Sequence, residues 1–115
     1  MKLNCQSVST SEAGDEIFQI LFNAEINQDD GPYLLLQRAF LEEDDGENVS
    51  CYVETNEENL IGHNPIFHAD LSRNRLTLVL PSPTNETIEV NFQITDQKFR
   101  ELRHMLTIVL QQDFK

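Results

Sequence analysis

The sequence is poor in basic residues and glycine, and each shortage argues against a class of function. Eight Lys and Arg stand against twenty Asp and Glu, for a formal net charge of −12. Nucleic-acid affinity comes mainly from cations that displace counterions from phosphates, so this balance argues against direct DNA or RNA binding. Four scattered glycines also cannot form the Gly-rich loop that cradles a phosphate.

Long hydrophobic runs and cysteine motifs are missing as well. No eighteen apolar residues follow one another, and residues 1–18 contain no apolar stretch of signal-peptide length. We therefore expect a cytoplasmic protein that stays off the membrane. Cys5 and Cys51 should be reduced there, because glutathione and thioredoxin keep cytosolic thiols reduced and the spacing of the two cysteines matches no metal or redox motif. Cys51 lies in an alternating segment, so we predict that it packs in the core.

The composition is nevertheless that of a folded protein with an unevenly charged surface. With 115 residues, 39% of them hydrophobic and seven of them Phe, the chain can bury one core, and we predict a single domain over residues 1–115. Residues 1–60 hold fourteen carboxylates and two cations, whereas residues 61–115 hold six of each. Such an acidic surface attracts a basic protein and accelerates its association.

Apolar and polar residues alternate in several segments, which predicts β-strands. The clearest is residues 87–94, where Ile88, Val90 and Phe92 alternate with polar neighbours. The segment 33–40 is apolar on both sides apart from Gln37 and Arg38, as expected of a central strand. Further strand signals lie at residues 2–8 (the weakest), 16–23 and 49–54, and in a hairpin over residues 67–80 that turns at residues 72–75.

The C-terminal part carries a helix signal. Thr95 is a suitable N-cap, and Asp96 favours the positive end of the helix dipole. Spacings of three and four then place one apolar face on Phe99, Leu102, Leu106, Val109 and Leu110. We predict a helix over residues 96–112 that packs on the sheet. The expected fold is α+β, with six or seven mostly antiparallel strands in a sheet of hairpins and one C-terminal helix.

The acidic run in FLEEDDGENVSCYVE raises the question of a calcium loop. With Gly46 at position 6 of an EF-hand, position 1 is Leu41 and position 12 is Tyr52, neither of which can ligate calcium as that motif requires. The run EINQDDG fails the same test. We therefore predict no metal or cofactor at either run, and a solvated turn between two strands at Gly46.

The remaining candidates for chemistry are three histidines. His63, His68 and His104 lack the spacing of a zinc motif, and no nucleophile signature surrounds either cysteine. We accordingly predict no catalytic residue and no enzyme. Two alternatives stay open: a small-molecule or metal-dependent enzyme that uses the three histidines in a sheet pocket, and a structural domain that forms a homodimer through strand edges or the exposed side of the central strand.

A protein-binding surface fits the sequence better. Two acidic runs flank the predicted central strand and should lie at its opposite ends, with Glu54, Glu57 and Glu58 extending one end. Tyr33 and Tyr52 are aromatic anchors of the kind enriched in interfaces. The predicted partner-binding residues are Asp29, Asp30, Glu42, Glu43, Asp44, Asp45, Glu47, Tyr52 and Glu54.

The segments PYLLLQRAF, CYVETNEENLIGH and FHADLSRNRLTLVL resemble immunity protein family 10 of the bacterial polymorphic toxin systems. The resemblance runs from about Tyr33 to the C-terminal helix, as an order of strands, turn and helix. It rests on Tyr33, Leu34, Leu36, Gln37, Arg38, Tyr52, Glu54 and Gly62. It implies a small cytosolic α+β protein that neutralises a cognate toxin by binding and blocking it. With the acidic first half, the expected partner is a basic toxin domain, plausibly a nuclease.

Overall fold

A computed structural model describes residues 1–14, 16–24, 31–39, 51–56, 61–63, 66, 68–80 and 86–114. Within them the chain forms nine strands followed by one helix. The elements are β1 (Lys2–Cys5), β2 (Ser7–Ala13), β3 (Ile17–Asn23), β4 (Tyr33–Ala39), β5 (Tyr52–Thr55), β6 (Gly62–His63), β7 (His68–Ser72), β8 (Arg75–Val79), β9 (Thr87–Phe92) and α1 (Asp96–Leu110).

The strands form two sheets. One has the order β2-β3-β4-β5-β6 and is antiparallel throughout. The other has the order β1-β9-β8-β7, with β1 and β9 parallel and the other pairs antiparallel. The predicted α+β class, the mostly antiparallel pairing and the C-terminal helix are confirmed. The prediction of one sheet with six or seven strands is matched only roughly, because the described residues form nine strands in two sheets.

The chain first passes from one sheet to the other at Gln6, and it returns between β6 and β7. Cys5 pairs with Phe92 in the four-stranded sheet, whereas the Gln6 amide donates to the carbonyl of Asn23, 2.7 Å away, as β2 begins in the five-stranded sheet. No glycine or proline marks this bend, so residues 2–8 look like one strand in the sequence. The single strand predicted over residues 2–8 therefore corresponds to parts of two strands, β1 and β2, in different sheets.

Central position and core packing agree with the alternation patterns. β4 is the middle strand of its sheet, and its Leu34 and Leu36 are fully buried. The sheets meet through one core, in which the rings of Phe22 and Phe92 stack with centroids 6.5 Å apart. Cys51 is 2% exposed and belongs to this core, as predicted. Each fully buried Leu or Phe side chain of this core contributes about 1.5–3 kcal/mol of transfer free energy.

The helix has the expected start and a slightly earlier end. The hydroxyl of Thr95 accepts from the amide of Lys98 at 3.1 Å, which is the predicted N-cap. The apolar face packs on β2, β3 and β4, and its buried members are Leu102, Met105, Leu106 and Val109. Gln111 adopts the left-handed conformation (φ 55°) and ends the helix at Leu110, two residues before the predicted end.

Arg73, in the turn between β7 and β8, ties the four-stranded sheet to the start of the helix. Its Nη2 donates to the carbonyl of Ile94 at 2.7 Å and to Asp96 Oδ1 at 2.8 Å. The guanidinium carbon lies 4.9 Å from the ring centroid of Phe99. The hairpin predicted at residues 67–80 is thus confirmed in its described part, and its turn is anchored by a cation. Among the described residues, no helix is both long and apolar enough to cross a bilayer.

Candidate functional site

The five-stranded sheet has one face on the core and one face that no element of the described chain covers. Registers and burial assign the second face, called here the outer face, to the odd-numbered residues of β3 and β4 and the even-numbered residues of β5. Leu21 and Leu35 sit opposite each other there and are half-buried. The outer face consists of Ile17, Gln19, Leu21, Asn23, Tyr33, Leu35, Gln37, Ala39, Tyr52 and Glu54.

Two tyrosines and one carboxylate form a hydrogen-bonded cluster on this face. The Tyr33 hydroxyl donates to Glu54 Oε2 at 2.8 Å, and the Tyr52 hydroxyl donates to Glu54 Oε1 at the same distance. The strands bring them together because Glu54 pairs with Leu35, two residues after Tyr33, and lies on the same face as Tyr52. Each carboxylate oxygen thus accepts from a different phenol, and all three side chains are half-buried. We call these residues the Tyr–Glu–Tyr cluster.

Burial and the shared carboxylate shift the ionisation of both phenols. The pKa of Tyr33 is raised, first by burial and then by its hydrogen bond to Glu54. The pKa of Tyr52 is raised chiefly by its hydrogen bond to Glu54, with burial second. Both phenols therefore stay protonated at neutral pH, and they remain donors to the Glu54 carboxylate.

The connections of the central strand leave it at opposite ends. β3 joins β4 at the Tyr33 end, and β4 joins β5 from its Ala39 end. The two acidic runs predicted to flank the strand lie outside the described residues. Glu54 lies near the Tyr33 end. Of the predicted partner-binding residues, Tyr52 and Glu54 are brought together, whereas the others lie outside the described residues: Asp29, Asp30, Glu42, Glu43, Asp44, Asp45 and Glu47.

The histidines do not gather among the described side chains. His68 is exposed on β7, where its Nε2 lies 3.0 Å from Asp70 Oδ2, and His104 is exposed on the helix. Of His63 only the backbone, in β6, is described. Within the described part of the chain, no three His, Cys, Asp or Glu side chains could hold a metal ion together. The hypothesis of a histidine site gains no support from this arrangement.

The thiols are poorly suited to nucleophilic chemistry. Burial raises the pKa of Cys51 to about 11, and burial also raises the pKa of Cys5. Cys5 Sγ donates to the carbonyl of Ser7 at 2.7 Å and borders an open cleft of about 670 Å³ at the corner between the sheets. The cleft is lined mainly by carboxamides, those of Asn4, Gln6, Asn74, Asn91 and Gln93. A neutral thiol beside neutral amides offers no activated nucleophile.

Sequence reasoning noticed Tyr33 but left it out of the predicted site, and it missed Leu21 and Leu35. The missing signal was the phase of the alternation. Tyr33 and Leu35 share one phase, and cross-strand pairing puts Glu54 directly opposite Leu35. Without a register, sequence alone could not show which phase of β5 faces the same way.

No protein-family model matches the chain, and no curated protein does either. The resemblance to immunity protein family 10 therefore stays an expectation drawn from the sequence. Functional inference has to rest on the residues of the outer face.

Proposed function

We propose that this chain is an immunity-type inhibitor that binds a basic toxin domain through the outer face of its five-stranded sheet and blocks it without turnover. The observation that carries the proposal is the Tyr–Glu–Tyr cluster beside the half-buried Leu21 and Leu35. Aromatic anchors next to apolar side chains, with a polar group to fix orientation, are the usual composition of an interface centre.

Charge favours a basic partner for this face. The half of the chain that contributes all the strands of the five-stranded sheet except β6 also holds fourteen of the twenty carboxylates. Opposite charge steers encounter and increases the association rate, an effect that weakens as salt rises. A basic toxin whose substrate is itself anionic would be blocked by steric cover and by charge mimicry together.

The same charge disfavours the homodimer as the principal use of this face. Two copies that met through their outer faces would bring together two chains of net charge −12. Like charges across an interface are repulsive unless they are paired. The enzyme alternative has no comparable support, because the exposed His68 and His104 adjoin no activated thiol among the described residues.

The experiment is a binding titration against the toxin domain encoded next to this gene, inactivated for expression. At low salt the wild type should bind, and Leu35→Lys should weaken binding at least tenfold, because it puts a cation in the centre of the outer face. Thr77→Lys is the matched control: Thr77 lies half-buried on the exposed side of the four-stranded sheet. Charge reversal across residues 42–47 tests the electrostatic contribution separately.

The results separate the components of the proposal. Absence of binding at low salt would contradict the proposed immunity function. Equal weakening by Leu35→Lys and Thr77→Lys would show that the outer face is not the binding surface. Binding that is indifferent to salt and to reversal of residues 42–47 would remove the electrostatic component. Light scattering of the free protein distinguishes the homodimer alternative.

A further inference from the structure

Glu54 retains acceptor capacity after both tyrosines have bound it. An ionised carboxylate offers about four lone-pair positions, two on each oxygen. Tyr33 occupies one position on Oε2 and Tyr52 occupies one on Oε1. One position on each oxygen therefore remains for a further donor. Because Glu54 is only half-buried on the outer face, a side chain from outside can reach it.

The two phenols also hold this carboxylate in one orientation. A solvent-exposed glutamate loses rotamer entropy when it forms an ion pair, and this loss reduces the gain from most surface pairs. Here the intramolecular hydrogen bonds have already fixed both oxygens before any partner arrives. Such preorganisation increases affinity by reducing the entropy that binding must remove.

The two open acceptor positions form a pair, and this pair matches the guanidinium of arginine better than the ammonium of lysine. A guanidinium is planar and offers two parallel N–H donors, which fit the two oxygens of a carboxylate. A guanidinium also stacks on aromatic faces, and Tyr33 and Tyr52 lie on opposite sides of Glu54 along the strands. A lysine ammonium is a strongly hydrated point charge that gains little from either feature.

We infer that Glu54, held between Tyr33 and Tyr52, is the docking point for an arginine side chain of the basic partner. This inference rests on the proposed function for its source of arginine, and it names the chemical group that the outer face selects. The net charge of −12 favours a cationic partner over a second copy of the chain. Leu21 and Leu35 then supply apolar surface around the ion pair.

The test uses two small probes, N-acetyl-arginine amide and N-acetyl-lysine amide, titrated into the full chain at pH 7 and low salt. NMR detects the Glu54 carboxyl carbon and the backbone amides of residues 33, 52 and 54. The arginine probe should bind at Glu54 about fivefold more tightly than the lysine probe, the equivalent of one extra hydrogen bond. Glu54→Gln should abolish the preference, whereas Asp113→Asn, which neutralises an exposed carboxylate after the helix, should preserve it.

A second variant distinguishes a loss of the arginine preference from a loss of folding. The double substitution Tyr33→Phe and Tyr52→Phe keeps both rings but removes both donors, so the carboxylate is no longer fixed. The arginine-to-lysine ratio at Glu54 should fall towards one while the spectrum stays that of a folded protein. Equal affinity for the two probes in the wild type, or an undiminished ratio in the double variant, would overturn the inference.

The outcome is distinguishable from failure of the proposed function. A toxin that binds the outer face while the probes show no arginine preference would leave the function intact and refute the anchor. An arginine preference at Glu54 without toxin binding would leave the anchor intact and refute the immunity function.

Discussion

Arg38 of the central strand donates from Nε to the carbonyl oxygen of Val109 in the last turn of the helix, across 2.5 Å. Arg38 lies on the core face of β4 and is 8% exposed. The last helical turn contains no basic residue of its own. The cation that complements the negative end of the helix dipole therefore comes from the sheet.

Replacing Arg38 should destabilise the fold through this contact. Arg38→Met keeps the aliphatic stem but leaves the Val109 carbonyl without its charged donor, so we expect a loss of about 2–3 kcal/mol in the free energy of unfolding. Arg38→Lys should recover part of it. Urea unfolding measures the change, with the exposed Arg100→Met as control. A loss of similar size in both Met variants would contradict the proposed linkage.

Arg73 provides the corresponding linkage at the other end of the helix. Its side chain is 40% exposed and that of Asp96 is 83% exposed, so their ion pair alone contributes about 1 kcal/mol or less. The bond to the Ile94 carbonyl and the contact with the Phe99 ring add to it. We expect Arg73→Lys, which keeps the charge but loses the planar fork, to lower the free energy of unfolding by about 1 kcal/mol.

The comparison with Asp96→Asn tests how Arg73 acts. Asp96→Asn should cost less than Arg73→Lys, because it removes two exposed charge interactions, with Arg73 and with the helix dipole, and leaves the carbonyl and ring contacts of Arg73 in place. Its effect should shrink in 0.5 M salt. Urea unfolding of the two single variants and the double variant gives the coupling between them. If Asp96→Asn costs as much as Arg73→Lys at both salt concentrations, the carbonyl and ring contacts are unimportant.

Sequence periodicity predicted most strands and the helix because each has one apolar face and one wet face. Residues 87–94 and 96–112 show this well, since the observed β9 and α1 begin at the predicted residues and end two residues early. The division into two sheets was not predictable in this way. At Gln6 the chain changes sheets and the buried positions shift from odd to even, from Leu3 to Val8, but no glycine or proline marks the bend.

The candidate site was predictable in its residue types but not in its geometry. Tyr52 and Glu54 share a phase within one strand, which the sequence shows directly. The hydrogen bond from Tyr33 depends on the register between β4 and β5, in which Glu54 pairs with Leu35. Register follows from core packing of both strands and from the length of their connection, neither of which one segment reveals. The role of Arg38 as a buried donor to the helix also depends on tertiary packing.

Cys51 should make the fold sensitive to alkaline pH. Burial raises its pKa from 9.0 to about 11, so between these values the folded state retains a proton that the unfolded state has lost. Stability from this group is therefore fully present below pH 9 and falls as pH rises towards 11, by at most about 1.4 kcal/mol per pH unit. Urea unfolding at pH 8, 9.5 and 10.5 measures the slope.

Cys51→Ala is the variant that isolates this contribution. It should be less stable at pH 8, because it leaves a small cavity, but its free energy of unfolding should fall less steeply with pH than that of the wild type. Cys5→Ala is the control for general thiol effects. Because burial also raises the pKa of Cys5, this substitution should change the slope in the same direction. Identical slopes for wild type and Cys51→Ala would show that ionisation of the Cys51 thiol does not contribute to the pH dependence of stability.

The Tyr–Glu–Tyr cluster can be followed by a direct optical titration, because the chain has two tyrosines and no tryptophan. Absorbance at 295 nm then reports only Tyr33 and Tyr52, both of which should ionise above the ordinary value of 10.0. Glu54→Gln removes the negative charge and the charged acceptor, so both midpoints should fall towards that value. Tyr52 should shift more, since the bond to Glu54 is the main cause of its raised pKa, whereas burial dominates for Tyr33. Titrations of Tyr33→Phe and Tyr52→Phe, each with and without Glu54→Gln, assign the two transitions. Unchanged midpoints in Glu54→Gln would mean that the phenols do not bind the carboxylate in solution.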